Sequence, residues 1–256
     1  MMEIITIAFL LAIGLAIGSF LNVCIYRLPR RESLLFPPSH CPTCDRQLAW
    51  FENVPVVSWL VLRGRCRTCR MAIPVQYPRV EATTAALFVS GYVIYGWTPL
   101  LAARLLFACA MIVLFVIDLH HRILPNVITL PGIVVGLALS LFLPPGWASS
   151  LIGATAGGGL LFAISEAYYR VRGHEGLGMG DVKMLAMIGA FLGWPLMLVT
   201  LVFASFSGSV VGIGLLASGR GGMKAALPFG TFLAVGALVA AVAGDALLAW
   251  YLAFYQ

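Results

Sequence analysis

Apolar residues run in long blocks along this chain, separated by short polar joints and by one longer polar segment at 27–78. Blocks near the ~20 residues needed to cross a bilayer's hydrocarbon fall at 4–23, 79–96, 98–118, 127–144, 148–169, 182–197, 198–218 and 229–254. They predict an all-α fold, a polytopic membrane helix bundle of about eight transmembrane helices. Only the turn Gly193-Trp194-Pro195 divides the pair at 182–218. Composition agrees: 61% of residues are hydrophobic and 10% charged, against about 25% charged in soluble domains.

Lys and Arg in short loops mark the cytoplasmic side. With the N-terminus outside, that side receives Arg27, Arg30, Arg31, Arg46, Arg63, Arg65, Arg67, Arg70 and Arg79 after the first span. It also receives Arg122, Arg170, Arg172, Lys183, Arg220 and Lys224, whereas the opposite loop around Pro144-Pro145-Gly146-Trp147 has no Lys or Arg. Arg104 alone sits oddly, in the outer part of the third span. The formal charge of +6 therefore reads as topology, and no nucleic-acid partner is expected. The first block has Glu3 before it and its arginines after it, which fits a retained anchor better than a cleaved signal. Three parts follow: a first transmembrane helix at 1–26, a cytoplasmic loop at 27–78, and a transmembrane domain at 79–256.

The loop at 27–78 is too short and too poor in core residues to hold itself together without a staple. Cys41-Pro42-Thr43-Cys44 and Cys66-Arg67-Thr68-Cys69 supply one, as two C-x-x-C knuckles. Four thiolates would hold one tetrahedral Zn²⁺ with no open coordination position, hence a structural metal. Redox dithiols or disulfides are the alternative, and a reducing cytoplasm disfavours them. Cys24 and Cys109 stand alone among apolar residues and read as packing. Between the knuckles, aromatic and polar residues interleave from Leu48 to Leu60, suiting either the membrane interface or a ligand pocket.

Gly14, Gly18 and Ser19 form a small-residue face on the first span, a common means of close helix packing. Asn22 stands where an apolar residue would be cheaper; structural hydrogen bonding is its first reading and ligand contact its second. Asp118 ends the third span travelling inward, and Asp181 begins the sixth travelling outward. Two carboxylates distant in sequence are thus expected at one depth on one face. Singly, each reads equally well as a helix-end residue; paired, and with so few other acids near the membrane, they point to function. Neighbouring carboxylates tend to share a proton, so one can accept a proton from water while the other polarises a carbonyl, which is aspartyl-protease chemistry. Gly178 and Gly180, in Gly176-Leu177-Gly178-Met179-Gly180-Asp181, would let a peptide backbone approach closely. His120, His121 and His174 lack a helix-spaced carboxylate–histidine motif and read as solvated interface residues. Asp245 lies well inside the last span, unexplained by this scheme.

These residues, taken together, resemble the bifunctional type IV prepilin leader peptidase and N-methyltransferase family of pilus and type II secretion systems. The resemblance covers nearly the whole chain. It rests on Gly18-Ser19-Phe20-Leu21-Asn22-Val23, Tyr26-Arg27-Leu28-Pro29, the two knuckles, Glu52-Asn53-Val54-Pro55 with Ser58, and Leu62-Arg63-Gly64-Arg65-Cys66-Arg67. It continues with Tyr77-Pro78, Glu81, Ile117-Asp118, Leu124-Pro125, Gly178-Met179-Gly180-Asp181-Val182-Lys183 and Leu227-Pro228-Phe229-Gly230. It implies that Asp118 and Asp181 are the catalytic pair of a G-x-G-D membrane aspartyl protease of the bacterial inner membrane. The substrates would be prepilins and pseudopilins, cut after a glycine on the cytoplasmic side. It further implies methylation of the new amino terminus with S-adenosylmethionine. Many members carry Asp after the Leu-Pro pair, where this chain has Asn126, which leaves Asp118 as the acid. No strand, glycine loop and helix of a nucleotide-binding unit is visible, so methyl transfer is carried by resemblance, through the zinc-stapled loop and its membrane edge. Glu52, Asn53 and Glu81 are the candidates for that cofactor site. The rivals are a peptidase-only enzyme, a proton-coupled transporter using the aspartates as a relay, and a structural subunit of a secretion apparatus.

Overall fold

The computed structural model describes residues 2–173, 176–218 and 227–254; His174, Arg220 and Lys224 lie outside the described residues. The regular elements described are helical: α1 (Met2–Arg27), α2 (Val57–Val61), α3 (Gln76–Tyr95), α4 (Pro99–His121), α5 (Asn126–Leu139), α6 (Trp147–Arg172), α7 (Met179–Ala217) and α8 (Phe229–Ala253), with short 3₁₀ turns at Leu28–Arg30 and Trp50–Asn53. The all-α expectation therefore holds. β-structure among the described residues is limited to the isolated bridges His40 to Gln47 and Arg65 to Ala72. The chain divides into two compact units, residues 1–113 and 114–256.

The count of eight membrane-crossing helices is not confirmed. Five helices among the described residues are long and apolar enough to cross: α1, α4, α6, α7 and α8. The block expected at 127–144 is helical only over the 14 residues of α5, about 21 Å at 1.5 Å per residue, short of the roughly 30 Å of hydrocarbon. α3 is 20 residues long, but Arg79, Glu81, Thr83 and Thr84 dilute its apolar character. The two blocks at 182–218 are two helical limbs of α7 that meet at a kink at Gly193, whose φ of 78° and ψ of 171° leave the helical region. Glycine tolerates that positive φ, and Pro195 lacks the N–H that a continuous helix would use. Up to Leu192 the first limb of α7 is only about 21 Å long.

In the first unit, α1 packs against α3 through the small-residue face. A Cβ on Gly14 would come 2.6 Å from Ala85 Cα, and one on Gly18 2.6 Å from Glu81 Cα. Any side chain there would force the backbones apart. The loop between them is anchored by Arg27, whose guanidinium donates to the carbonyls of Ser33 and Pro37.

In the second unit, α7 packs against α5, α6 and α8. It supplies Met184, Leu185, Met187, Ile188, Leu192 and Met197, all fully enclosed. Its tightest approach is to α6, where a Cβ on Gly189 would press on the Gly153 carbonyl group and lie 2.8 Å from Ala154 N. These neighbours are backbone atoms and cannot rotate away. Gly189→Ala is accordingly expected to cost about 1–3 kcal/mol, the usual range for overpacking, seen as a lower thermal midpoint in detergent. Gly159→Ala, where a Cβ meets nothing within 4 Å, is the matched control. It is expected to raise the midpoint slightly through helix propensity.

Candidate active site

The last turn of α4 delivers Asp118 into the second unit with 4% exposure. One of its carboxylate oxygens accepts from the Thr231 backbone N–H at 2.8 Å. That donor belongs to the first turn of α8, whose N-terminal amides have no intrahelical acceptor and favour an anion. Pro228 precedes α8 directly, where its missing N–H costs nothing and its fixed φ suits a helix start.

Asp181 lies in the first turn of α7, its backbone N–H donating to the Gly178 carbonyl at 3.0 Å. Its Oδ1 is buried with no hydrogen-bond partner. Asp118 and Asp181, 63 positions apart in sequence, belong to the same unit. Leu124 is the neighbour common to their surroundings. A Cβ on Gly180 would come 2.9 Å from Leu124 Cβ, and one on Gly230 would come 2.9 Å from Asp118 Oδ2 and 3.0 Å from Leu124 Cδ1. Gly180 thus backs onto Leu124. Gly178 stands exposed at the N-cap, where a Cβ would meet nothing closer than Asp181 Oδ2 at 3.4 Å. The segment before α7 is tied to α6 by the Ser165 hydroxyl, which donates to the Leu177 carbonyl at 3.2 Å. Lys183 Nζ donates to Asn126 Oδ1 at 2.9 Å, linking the starts of α7 and α5. His120 and His121 are exposed, and His120 Nδ1 is engaged with the Val116 carbonyl.

The first unit holds a second constellation. The ligand sulfurs of Cys41, Cys44, Cys66 and Cys69 all lie within 4.8 Å of one another, with Cys41 and Cys69 Sγ 3.7 Å apart. Zn–S bonds of ~2.3 Å in a tetrahedron require sulfurs ~3.8 Å apart. The four cysteines are free thiols, so the set fits a tetrahedral zinc. Each knuckle is built alike. Cys41 N donates to Arg46 O and Asp45 N to Cys41 O; Cys66 N donates to Met71 O and Arg70 N to Cys66 O. Asp45 and Arg70 occupy equivalent places with φ of 51° and 59°. Backbone N–H groups of Cys69 and Thr68 pull the Cys66 thiol down to about 6, and those of Thr43 and Cys44 lower Cys41. Thiolate is the form a metal takes.

Beside the knuckles is a cavity of about 220 Å³ whose wall includes Cys41, Cys66, Glu52, Asn53 and Glu81. The three residues proposed for a cofactor from sequence therefore meet at one cavity, but their states differ. Glu52 is spent on the loop itself: Oε1 takes Arg46 Nη2 at 2.6 Å and Oε2 takes Ala49 N at 2.8 Å. The Arg46 guanidinium holds the Glu52 carboxyl below its ordinary value, so it stays ionised at neutral pH. Glu81 is buried and accepts from Val56 N at 2.7 Å. Val56 has φ of 60°, a conformation a β-branched residue rarely adopts; the hydrogen bond to Glu81 helps hold it there.

Residues that sequence reasoning left unassigned include Thr231 and Leu124. Thr231 acts through its backbone, so its side chain gives no signal. The cue was Pro228 at the head of an apolar block, which announces a helix N-terminus.

Two family profiles match this chain: Bacterial Peptidase A24 N-terminal domain over residues 12–95 and Type IV leader peptidase family over residues 105–213. A curated prepilin leader peptidase/N-methyltransferase of Myxococcus xanthus (strain DK1622) is 46% identical over 219 residues, covering 84% of this chain and 65% of that protein. The chain thus spans just under two thirds of the length of that relative. Proteins of the same description from Aeromonas salmonicida (strain A449) and Pseudomonas aeruginosa are 37% and 35% identical over 269 and 268 residues. Those matches cover 93% and 94% of this chain, and 91% and 92% of the relatives. No solved structure matches.

Proposed function

The chain belongs to the type IV leader peptidase family, and from that premise we propose that it is a two-activity enzyme of the bacterial inner membrane. It removes the leader of prepilins and pseudopilins on the cytoplasmic side, with the N-terminus of the enzyme outside, and methylates the exposed amino group from S-adenosylmethionine. The observation that carries the peptidase half is the convergence of Asp118 and Asp181 around Leu124, with one carboxylate tethered by an N–H and the other holding a buried, unpartnered oxygen. One aspartate takes a proton from water as the water oxygen attacks the scissile carbonyl carbon. The other, protonated, donates to the carbonyl oxygen. Collapse of the tetrahedral adduct breaks the C–N bond, and the leaving amine takes up a proton from the pair.

For methyl transfer, the cavity beside the zinc knuckles is the site we assign. The cofactor supplies an electrophilic methyl group on a sulfonium. Asn53 and Glu81 face that cavity, while Glu52 keeps its wall in place. The test is mass spectrometry of a prepilin incubated with the detergent-purified, zinc-loaded protein and S-adenosylmethionine. Loss of the leader with one added methyl on the new N-terminus is the expected result. Loss of the leader alone would leave a peptidase only, and an untouched substrate would remove both activities.

A further inference from the structure

Asn22 is 3% exposed in α1 and lines the cavity of the first unit. Its amide is fixed in one orientation, because Nδ2 donates to the Tyr77 carbonyl at 3.0 Å. The other end of the amide, Oδ1, is buried with no partner. Buried acceptors are rarely left unpaired, since desolvating one without a hydrogen bond opposes folding. A ligand carrying an N–H donor would satisfy it.

A second acceptor lines the same cavity. Glu81 comes from α3, brought close by the contact of Gly18 with the Glu81 backbone, and the Ser19 hydroxyl of α1 hydrogen-bonds to its carboxylate. Glu81 Oε2 is held by Val56 N, and among the described residues no cation pairs with this carboxylate. The helix side of the cavity therefore presents acceptors. The loop side presents donors, including Arg67 and Arg46, whose Nε is buried without a partner. An amine belongs on the first side and a carboxylate on the second.

We propose that Asn22 Oδ1 and the Glu81 carboxylate bind the α-amino group of the methyl acceptor, the new N-terminus of the cleaved peptide. The assignment rests on the two-activity reading above. Each acceptor takes one N–H of the ammonium, and once the Glu81-facing proton has left, the neutral amine, still held by Asn22 Oδ1, turns its lone pair to the methyl donor. One proton of the arriving ammonium passes to Glu81. The freed lone pair forms the N–C bond while the C–S bond of the sulfonium donor breaks, its electron pair remaining on sulfur. The methylated amine leaves with its positive charge, and Glu81 returns its proton to water. Asn22 is thus a binding residue, and Glu81 binds the amine and takes its proton.

The test uses the full chain, zinc-loaded in detergent, with a precleaved acceptor peptide bearing a free N-terminus. Asn22→Leu is expected to raise the acceptor KM by roughly ten- to a hundredfold, the range for losing a hydrogen bond to a charged group, and Glu81→Gln to raise it likewise and also to lower kcat for methyl transfer, because it removes the proton acceptor. KM for S-adenosylmethionine, and Kd for S-adenosylhomocysteine by calorimetry, should stay within about twofold. Asn22→Asp keeps the size and the free acceptor but gives up the Nδ2 donation to the Tyr77 carbonyl, and its acceptor KM should fall between those of the parent and Asn22→Leu. Zinc content and leader cleavage equal to the parent's show that each variant is folded. An unchanged acceptor KM overturns the assignment. So does loss of S-adenosylhomocysteine binding, which would give these residues to the cofactor. A parent protein that cleaves but neither transfers methyl nor binds S-adenosylhomocysteine sinks the two-activity reading itself.

Discussion

Asp181→Asn is expected to lower leader cleavage by roughly 10²–10⁴-fold, the usual contribution of a positioned acid or base, while methylation of a precleaved peptide continues at the parent rate. Asparagine has nearly the same size and the same helix-start preference as aspartate, so the first turn of α7 and its Asp181 N to Gly178 O bond should persist. What disappears is the ability to exchange a proton. The buried, unpartnered Oδ1 of Asp181 is an acceptor whose partner we assign to the attacking water or the substrate. Asp118→Asn should give the same loss, since an amide oxygen can still accept from Thr231 N–H and only the proton chemistry is removed. Asp118→Ala is the harsher change, because it strands that N–H in a buried place. The check is a gel or mass assay of leader removal beside a methylation assay with a precleaved peptide. Cleavage above about a tenth of the parent rate in either asparagine variant would remove that aspartate from the catalytic pair.

The same contrast shows what the sequence carried and what it did not. Asp118 and Asp181 stood out together because acids are costly near a membrane and the arginine bias would set both at one boundary; the fold brings Asp118 and the Gly180 next to Asp181 against Leu124. Thr231 was not, because a backbone N–H leaves no mark on residue type. The clustering of the four knuckle cysteines was legible, since C-x-x-C spacing brings two sulfurs close in each knuckle and the four now lie within 4.8 Å of one another. The small-residue face of Gly14 and Gly18 was legible for a similar reason: only glycine permits the approach to Ala85 and Glu81 seen between α1 and α3. The span count is unconfirmed where apolar length and helix length part company. The block at 127–144 is largely apolar, but helix α5 stops at Leu139. At Gly193, a positive φ separates two helical limbs at the place where the sequence had divided two spans. Glu52, Asn53 and Glu81 came to one cavity, yet sequence alone could not separate Glu52, neutralised by Arg46, from Glu81, which pairs with no cation among the described residues.

Removing zinc is expected to abolish methyl transfer and leave leader cleavage within about twofold of the parent. Between residues 28 and 75 the only buried residues are Cys41, Glu52, Gly64 and Cys66. Two of these four are knuckle cysteines, so the loop has almost no apolar core of its own. Nor does a sheet hold it: the knuckles are closed by single bridges, His40 to Gln47 and Arg65 to Ala72. Structural zinc contributes about 10–16 kcal/mol in small stapled peptides, far more than the Arg46–Glu52 pair and the Trp59 to Ile73 hydrogen bond can offer. Cys41 and Cys66 also form part of the cavity wall, so loosening the knuckles dismantles the proposed methylation site directly. Asp118, Asp181, Leu124 and Thr231 all belong to the other unit and keep their own packing. Chelation of the purified protein, or the double change Cys44→Ser with Cys69→Ser, should therefore make the loop protease-sensitive and silence methylation of a precleaved peptide. Cleavage of a prepilin should continue, and zinc added back should restore the chelated protein but not the double variant. Methyl transfer that survives chelation, or a parent protein with no bound zinc by metal analysis, would refute this account of the loop.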